Sequence, residues 1–196
     1  MNRQAVTRRM TEEIEVKSQR ASLTRKKKGV WGWIRFFLIV GAAFIIINNL
    51  TGIVKVSGNS MNPTLQSGNI LLINKFSLFL GVPKYGDVVV IKEDRLGYSI
   101  VKRVIAVEGD KVAIVDGVTY VNGAPLVELY TYGQSEDMEE MTMGIDELFV
   151  AGDNRNLGES LDSRDPQLGP VHIGDIRGYA ALSLWPMHRI SKPLKL

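Results

Sequence analysis

The chain has 196 residues, 45% of them hydrophobic and 23% charged, a make-up that fits about one domain and excludes disorder throughout. It has no cysteine and only two histidines, His172 and His188, which removes disulfides, thiol nucleophiles, Cys-ligated zinc and a His-rich metal centre, so no cofactor and no metal are expected. Residues 1–28 hold nine Lys and Arg and three acids, out of 24 and 21 in the whole chain; the remainder is mildly acidic, offers no basic groove for a phosphate backbone, and predicts no nucleic-acid partner.

The basic segment, residues 1–29, reads as a cytoplasmic tail because it adjoins a long apolar stretch. Val30–Leu50 is 21 residues long with Arg35 as its only charge, and about 20 residues of helix span a bilayer core. Arg35 lies near the end that adjoins Lys26–Lys28, where its stem can reach the headgroups, and Trp31 and Trp33 at the same end suit the interface. Positive charge stays inside, so residues 30–51 are expected to form a single transmembrane anchor in the cell membrane, with residues 52–196 as an extracytoplasmic domain. A cleaved secretory signal is the first competitor, since the cleanest apolar core, Phe36–Ile47, is only 12 residues. Against it stand the 28-residue charged region and the lack of a small-x-small site directly after. A buried core helix is the second competitor, but the apolar residues run around every face without a polar stripe.

From Ile53 the pattern changes to short apolar runs separated by Gly, Pro, Asn and Asp, which predicts a mainly β domain built as an antiparallel sheet. Strands are expected at Ile53–Val56, Asn69–Asn74, Asp87–Lys92, Ser99–Val107, Lys111–Val115, Val118–Val121, Leu148–Ala151 and Ile176–Leu184. Asp116-Gly117 is a type I′ hairpin signal and Asn122-Gly123 marks another tight turn, so a β-ribbon extension is expected there. Tyr132–Glu147 holds six acids and few apolar anchors and reads as an exposed connection.

Four segments carry the chemistry. The first, Ser57-Gly58-Asn59-Ser60-Met61-Asn62-Pro63-Thr64-Leu65, wraps a sharp turn around a serine, which can be a nucleophile or a turn former. Gly86-Asp87-Val88-Val89-Val90 is the second. In the third, Ile100, Lys102, Val104 and Ala106 share one face of a strand, and Val101, Arg103, Ile105 and Val107 the other, so both faces are largely apolar. Lys102 is then either a desolvated amine whose lowered pKa lets it take a proton from a serine, or a lysine snorkelling from a sheet edge at its ordinary value. The fourth, Gly152-Asp153-Asn154-Arg155 leading to Ser160-Leu161-Asp162-Ser163-Arg164, pairs its acids with arginines and so favours internal ion pairs over a cation site. A Ser-His-Asp triad would need His172 or His188, and neither lies among these segments.

The four segments, in this order behind an anchor, resemble type I signal peptidases, membrane-bound Ser/Lys endopeptidases that remove signal peptides, and the resemblance covers nearly the whole chain. It implies Ser60 as nucleophile, Lys102 as general base, and Ser160 as the second serine that orients the amine. Arg103 with Asp153, and Asp162 with Arg164, would be structural ion pairs. An extended substrate would add as a strand against Val56–Gly58 and Ile100–Val101, with Val56, Ser57, Gly58, Met61, Leu65, Ile100 and Val101 as the substrate-binding residues and small residues selected before the cut. Preprotein signal peptides are then the substrates, with membrane lipids and a secretion translocase as neighbours. Two departures stand out. Four residues, Asn156 to Glu159, separate Arg155 from Ser160 where the family has two, so the loop is expected to bulge. Gly58 occupies the place where Gram-negative members carry an oxyanion-binding serine, which resembles the Gram-positive pattern. The alternative from another class is a membrane-tethered β domain that binds exported peptides without cutting them; within enzymes, it is a self-cleaving Ser/Lys repressor-like protease.

Overall fold

The computed structural model describes Glu15 and residues 31–93 and 97–190; the basic tail otherwise lies outside the described residues. Trp31–Leu50 is a 20-residue helix, long and apolar enough to cross a membrane. It belongs mostly to a first unit ending at Asn48, and a second unit from Asn49 holds the sheets.

The described residues of the second unit form twelve strands: β1 (Thr51–Lys55), β2 (Ile70–Asn74), β3 (Val88–Glu93), β4 (Tyr98–Ala106), β5 (Lys111–Val115), β6 (Val118–Val121), β7 (Ala124–Pro125), β8 (Met138–Thr142), β9 (Glu147–Ala151), β10 (Val171–His172), β11 (Ile176–Trp185) and β12 (Met187–Arg189). Eight of them form an antiparallel sheet in the order β1-β2-β11-β3-β4-β9-β10, with β12 paired to β11. The other four form the ribbon, in the order β7-β6-β5-β8. The mainly β, antiparallel reading is therefore correct, with bounds within one or two residues of those expected.

Strand β3 explains why the sheet is well ordered at its centre. Val88 and Val90 pack into one apolar cluster with Val56, Met61, Leu65, Leu71, Ile73, Val101 and Ala180. Val89 and Ile91, alternating with them, pack into another with Val104, Leu148, Val150, Val171 and Ile176. Both faces are thus covered, and four consecutive β-branched residues are all nearly inaccessible. A third cluster, around Ile105, Val112, Met143 and Phe149, joins this sheet to the ribbon.

The ribbon turns form as their sequences demand. Asp116 and Asn122 take positive φ of 50° and 54°, each followed by a glycine also at positive φ, the geometry of type I′ hairpins. The segment Tyr132–Glu147 corrects the expectation of a plain connection, because Met138–Thr142 pairs with β5. Met138 and Met141 turn inward against the third cluster while Glu139 and Glu140 face solvent. A register shift between the two methionines breaks the alternation that would mark a strand in the sequence.

Candidate active site

The chain leaves β1 into a tight turn held by its own backbone. The Asn62 N–H donates to the Asn59 carbonyl and the Leu65 N–H to the Met61 carbonyl, at 3.0 and 2.8 Å. Met61 and Leu65 point into the core, 1% and 0% exposed, which pins the turn and leaves Ser60 half-buried at its crest. Among the described residues no acceptor takes the Ser60 N–H. Gly58 has φ +94°, a conformation in which an L side chain is strained, so its place suits glycine and supplies no side-chain donor.

Lys102 lies at the centre of β4, opposite Val89 of β3, and is 3% exposed. Desolvation by this burial is the main reason its pKa falls from the ordinary 10.5 to about 8; Asp162 and Asp153 pull it back up and Arg164 pushes it further down. Among the described residues it takes part in no ion pair.

The ladder between β4 and β9 begins with Arg103 opposite Ala151, and one further step places Lys102 across from Gly152. Gly152 is the packing centre of the site. A Cβ added there would lie 2.3 Å from the Ser60 carbonyl oxygen and 2.4 Å from Ser160 Oγ, so only glycine lets the Ser60 turn and the Ser160 segment close on the end of β9. Next to it, the Asn154 N–H donates to the same Ser60 carbonyl at 2.9 Å, and Asn154 Nδ2 to the Asn59 carbonyl at 3.3 Å. The turn that carries Ser60 is thereby tied to the strand end facing Lys102.

Ser160 reaches this point from the loop that follows Arg155. Asn156–Glu159 closes on itself through the Glu159 N–H to the Asn156 carbonyl and projects outward, with Leu157 73% exposed. Ser160 Oγ donates to Asp162 Oδ2 at 2.5 Å, and the Gly152 N–H donates to the same oxygen at 2.9 Å. Burial pushes the Asp162 carboxyl upward, but the Arg164 hydrogen bonds and charge, the Ser160 hydroxyl and the Gly152 N–H outweigh it and hold the group below the usual carboxylate range. Arg164 meets Asp162 through both Nε and Nη2, at 2.8 and 2.7 Å.

On the other face of β4, Arg103 donates to both carboxylate oxygens of Asp153, at 2.8 and 2.7 Å, and to the Gly86 carbonyl at 3.0 Å. Both ion-pair partners are 0% exposed. Two residues without a role in the sequence reading complete this network. Tyr130 lies under the Arg103 guanidinium, 4.1 Å from ring centroid to Cζ, and donates to Glu128, which in turn accepts both terminal nitrogens of Arg155. Glu128 is a lone acid in the stretch Pro125–Tyr130, the one signal from which a buried partner could have been sought.

The seven residues expected to contact substrate are divided by the structure. Val56, Met61, Leu65 and Val101 share one apolar cluster, Ser57 and Gly58 are exposed beside it, and Ile100 packs against the opposite cluster. Neither histidine offers a base. His188 Nε2 and Nδ1 sit at the Thr64 and Pro186 carbonyls, 3.1 and 3.0 Å away, and His172 on β10 uses Nδ1 to accept from the Gly174 N–H.

The family model for signal peptidase, peptidase S26, matches residues 30–185. The chain belongs to that family. A signal peptidase I from Bacillus amyloliquefaciens is 31% identical over 191 residues, covering 91% of this chain and 97% of the relative. Signal peptidase I P from Bacillus subtilis subsp. natto is 33% identical over 178 residues, covering 85% and 95%. A solved signal peptidase I from Enterococcus faecalis is 26% identical, with a TM-score of 0.44 over 50% of this chain and 97% of its own. As a family member this chain is a hydrolase, a type I signal peptidase by class, and its apolar helix is compatible with a membrane anchor.

Proposed function

We propose that the chain is a membrane-anchored endopeptidase that removes signal peptides from exported preproteins, with Ser60 as nucleophile and Lys102 as general base. The observation that carries this assignment is a buried lysine, its pKa drawn down to about 8, facing the glycine against which the Ser60 turn packs. The neutral amine takes the Ser60 proton as Oγ attacks the scissile carbonyl, and the free Ser60 N–H donates to the developing oxyanion. Lys102 returns the proton to the leaving amine; water then repeats the cycle on the ester. Ser160, whose hydroxyl donates its hydrogen bond to Asp162, keeps lone pairs free to accept from the Lys102 amine and turn it toward Ser60.

The substrate half that stays on the enzyme as the acyl group binds as an added strand. Tyr98–Val101 pairs with β3 on one side, and among the described residues the ladder with β9 covers the other side only from Arg103 onward, which leaves an open edge before Lys102. Strand addition there gives main-chain affinity without a fixed sequence, and the Val56–Val101 cluster underlies the side chains next to the cut. The basic tail is cytoplasmic, residues 30–51 cross the membrane, and residues 52–196 face outward with their substrates, which meet the enzyme in the same thin layer beside the secretion translocase.

Purified Ser60→Ala and Lys102→Ala, each assayed on a secretory precursor in lipid, are expected to lose cleavage by at least about 10³-fold. Wild-type rates in either variant would refute the dyad, and intact cleavage with loss in a His188 variant would point to a triad.

A further inference from the structure

The open edge of β4 ends where β9 begins, so an extended peptide lying along Tyr98–Val101 cannot continue as a strand past Lys102. The half of the substrate beyond the scissile bond must turn outward over the segment after Gly152. A cleft of about 410 Å³ opens there, between the Asn156–Leu161 loop, Glu136–Met138 and Arg164–Pro166. Ser160 lines it, and Ser160 Oγ packs against Gly152 beside the Ser60 carbonyl, so the cleft starts beside the reacting bond. Its outer wall is the Asn156–Leu161 loop.

Resting on the Ser60/Lys102 reading, we propose that this cleft is the subsite for the first residues of the released chain, and that it favours a lysine or arginine over an acidic residue. The walls supply Leu157, Leu161 and Pro166 for an aliphatic stem, and Glu136, Asp137 and Asp165 at the rim for a cationic end. The two arginines that also line it do not cancel those acids. Arg155 is taken up by Glu128 and Arg164 by Asp162, neither of which lines the cleft. Among the described residues Glu136, Asp137 and Asp165 have no cationic partner; Asp137 and Asp165 accept only backbone N–H groups, from Gly117 and Gln167. A side chain that brings a positive charge therefore meets unmatched carboxylates next to an apolar surface, and an acidic one meets repulsion.

The test uses the full chain in lipid vesicles and a series of quenched peptides identical up to the cut, with Lys, Gln or Glu at the second to fourth positions after it. The Lys peptide is expected to exceed the Glu peptide in kcat/KM by about tenfold at low salt, with the ratio shrinking toward unity at high ionic strength. The ratio should likewise collapse in a Glu136→Gln/Asp137→Asn/Asp165→Asn variant; the salt series on the wild-type chain reads the same effect without any substitution. Equal turnover of all three peptides would overturn the subsite while leaving the peptidase reading standing, and so would a preference that survives both neutralisation and salt. Failure to cut any of the three would instead refute the peptidase reading, and the subsite with it.

Discussion

The two faces of β4 bury adjacent cations in opposite ways. Arg103 commits its guanidinium to Asp153, the Gly86 carbonyl and the Tyr130 ring, and so is matched at nearly every donor. Lys102, one residue earlier, is almost as deeply buried and has no ion-pair partner among the described residues. A matched charge fixes the strand; an unmatched one becomes reactive, because the easiest response to desolvation is to give up the proton. The difference separates scaffold from chemistry within two consecutive residues.

The scaffold side should fail hardest when one partner is removed. Arg103→Met leaves Asp153 charged and unpaired in the interior and is expected to destabilise the domain by about 3–5 kcal/mol, measured by denaturant unfolding. A loss below about 1 kcal/mol would mean that Asp153 is solvated after all. Gly152→Ala comes next. Its added methyl meets the Ser60 carbonyl and Ser160 Oγ, so a cost of about 1–3 kcal/mol should come with loss of activity, as the Ser60 turn is displaced from Lys102.

The chemical side should respond with the opposite sign. With the folded pKa near 8 and the ordinary value at 10.5, folding bears the cost of the buried ammonium at every pH below about 8, and that cost fades as pH rises from 8 to 10.5. Lys102→Met removes it and is expected to raise stability at pH 7 by about 2 kcal/mol while abolishing cleavage, with the gain vanishing above about pH 10.5. A Lys102→Met chain less stable than wild type at pH 7 would mean that the amine has favourable contacts that offset its burial.

Part of this contrast is legible in the sequence. The apolar flanks on both faces of Ser99–Val107 allow a desolvated Lys102 but equally a lysine snorkelling from a sheet edge, whereas the Asp116-Gly117 and Asn122-Gly123 pairs fix the ribbon because their backbone needs are local. Strand β8 was hidden because its two inward methionines lie three residues apart, with two acids and a register shift between them, so no period-2 pattern shows. The role of Gly152 was also out of reach: a close approach between residues 60, 152 and 160 depends on tertiary neighbours, and a glycine beside an aspartate looks like any turn. The same holds for Glu128 and Tyr130, whose arginine partners each lie 27 residues away along the chain. Met61 and Leu65, read as pocket walls, turn out to be fully covered core residues that anchor the Ser60 turn from below, at 1% and 0% exposure.

The pH dependence of kcat/KM, measured on the full chain in lipid with a substrate lacking titratable groups near the cut, tests the central claim most directly. Only the neutral amine can accept the Ser60 proton, so activity should climb with pH along a single limb centred at about 8, leaving about a tenth of the maximum at pH 7. A limb centred below about 7, or a rate that does not change between pH 6 and about 9, would contradict it, because the proton would then be going to some group other than Lys102.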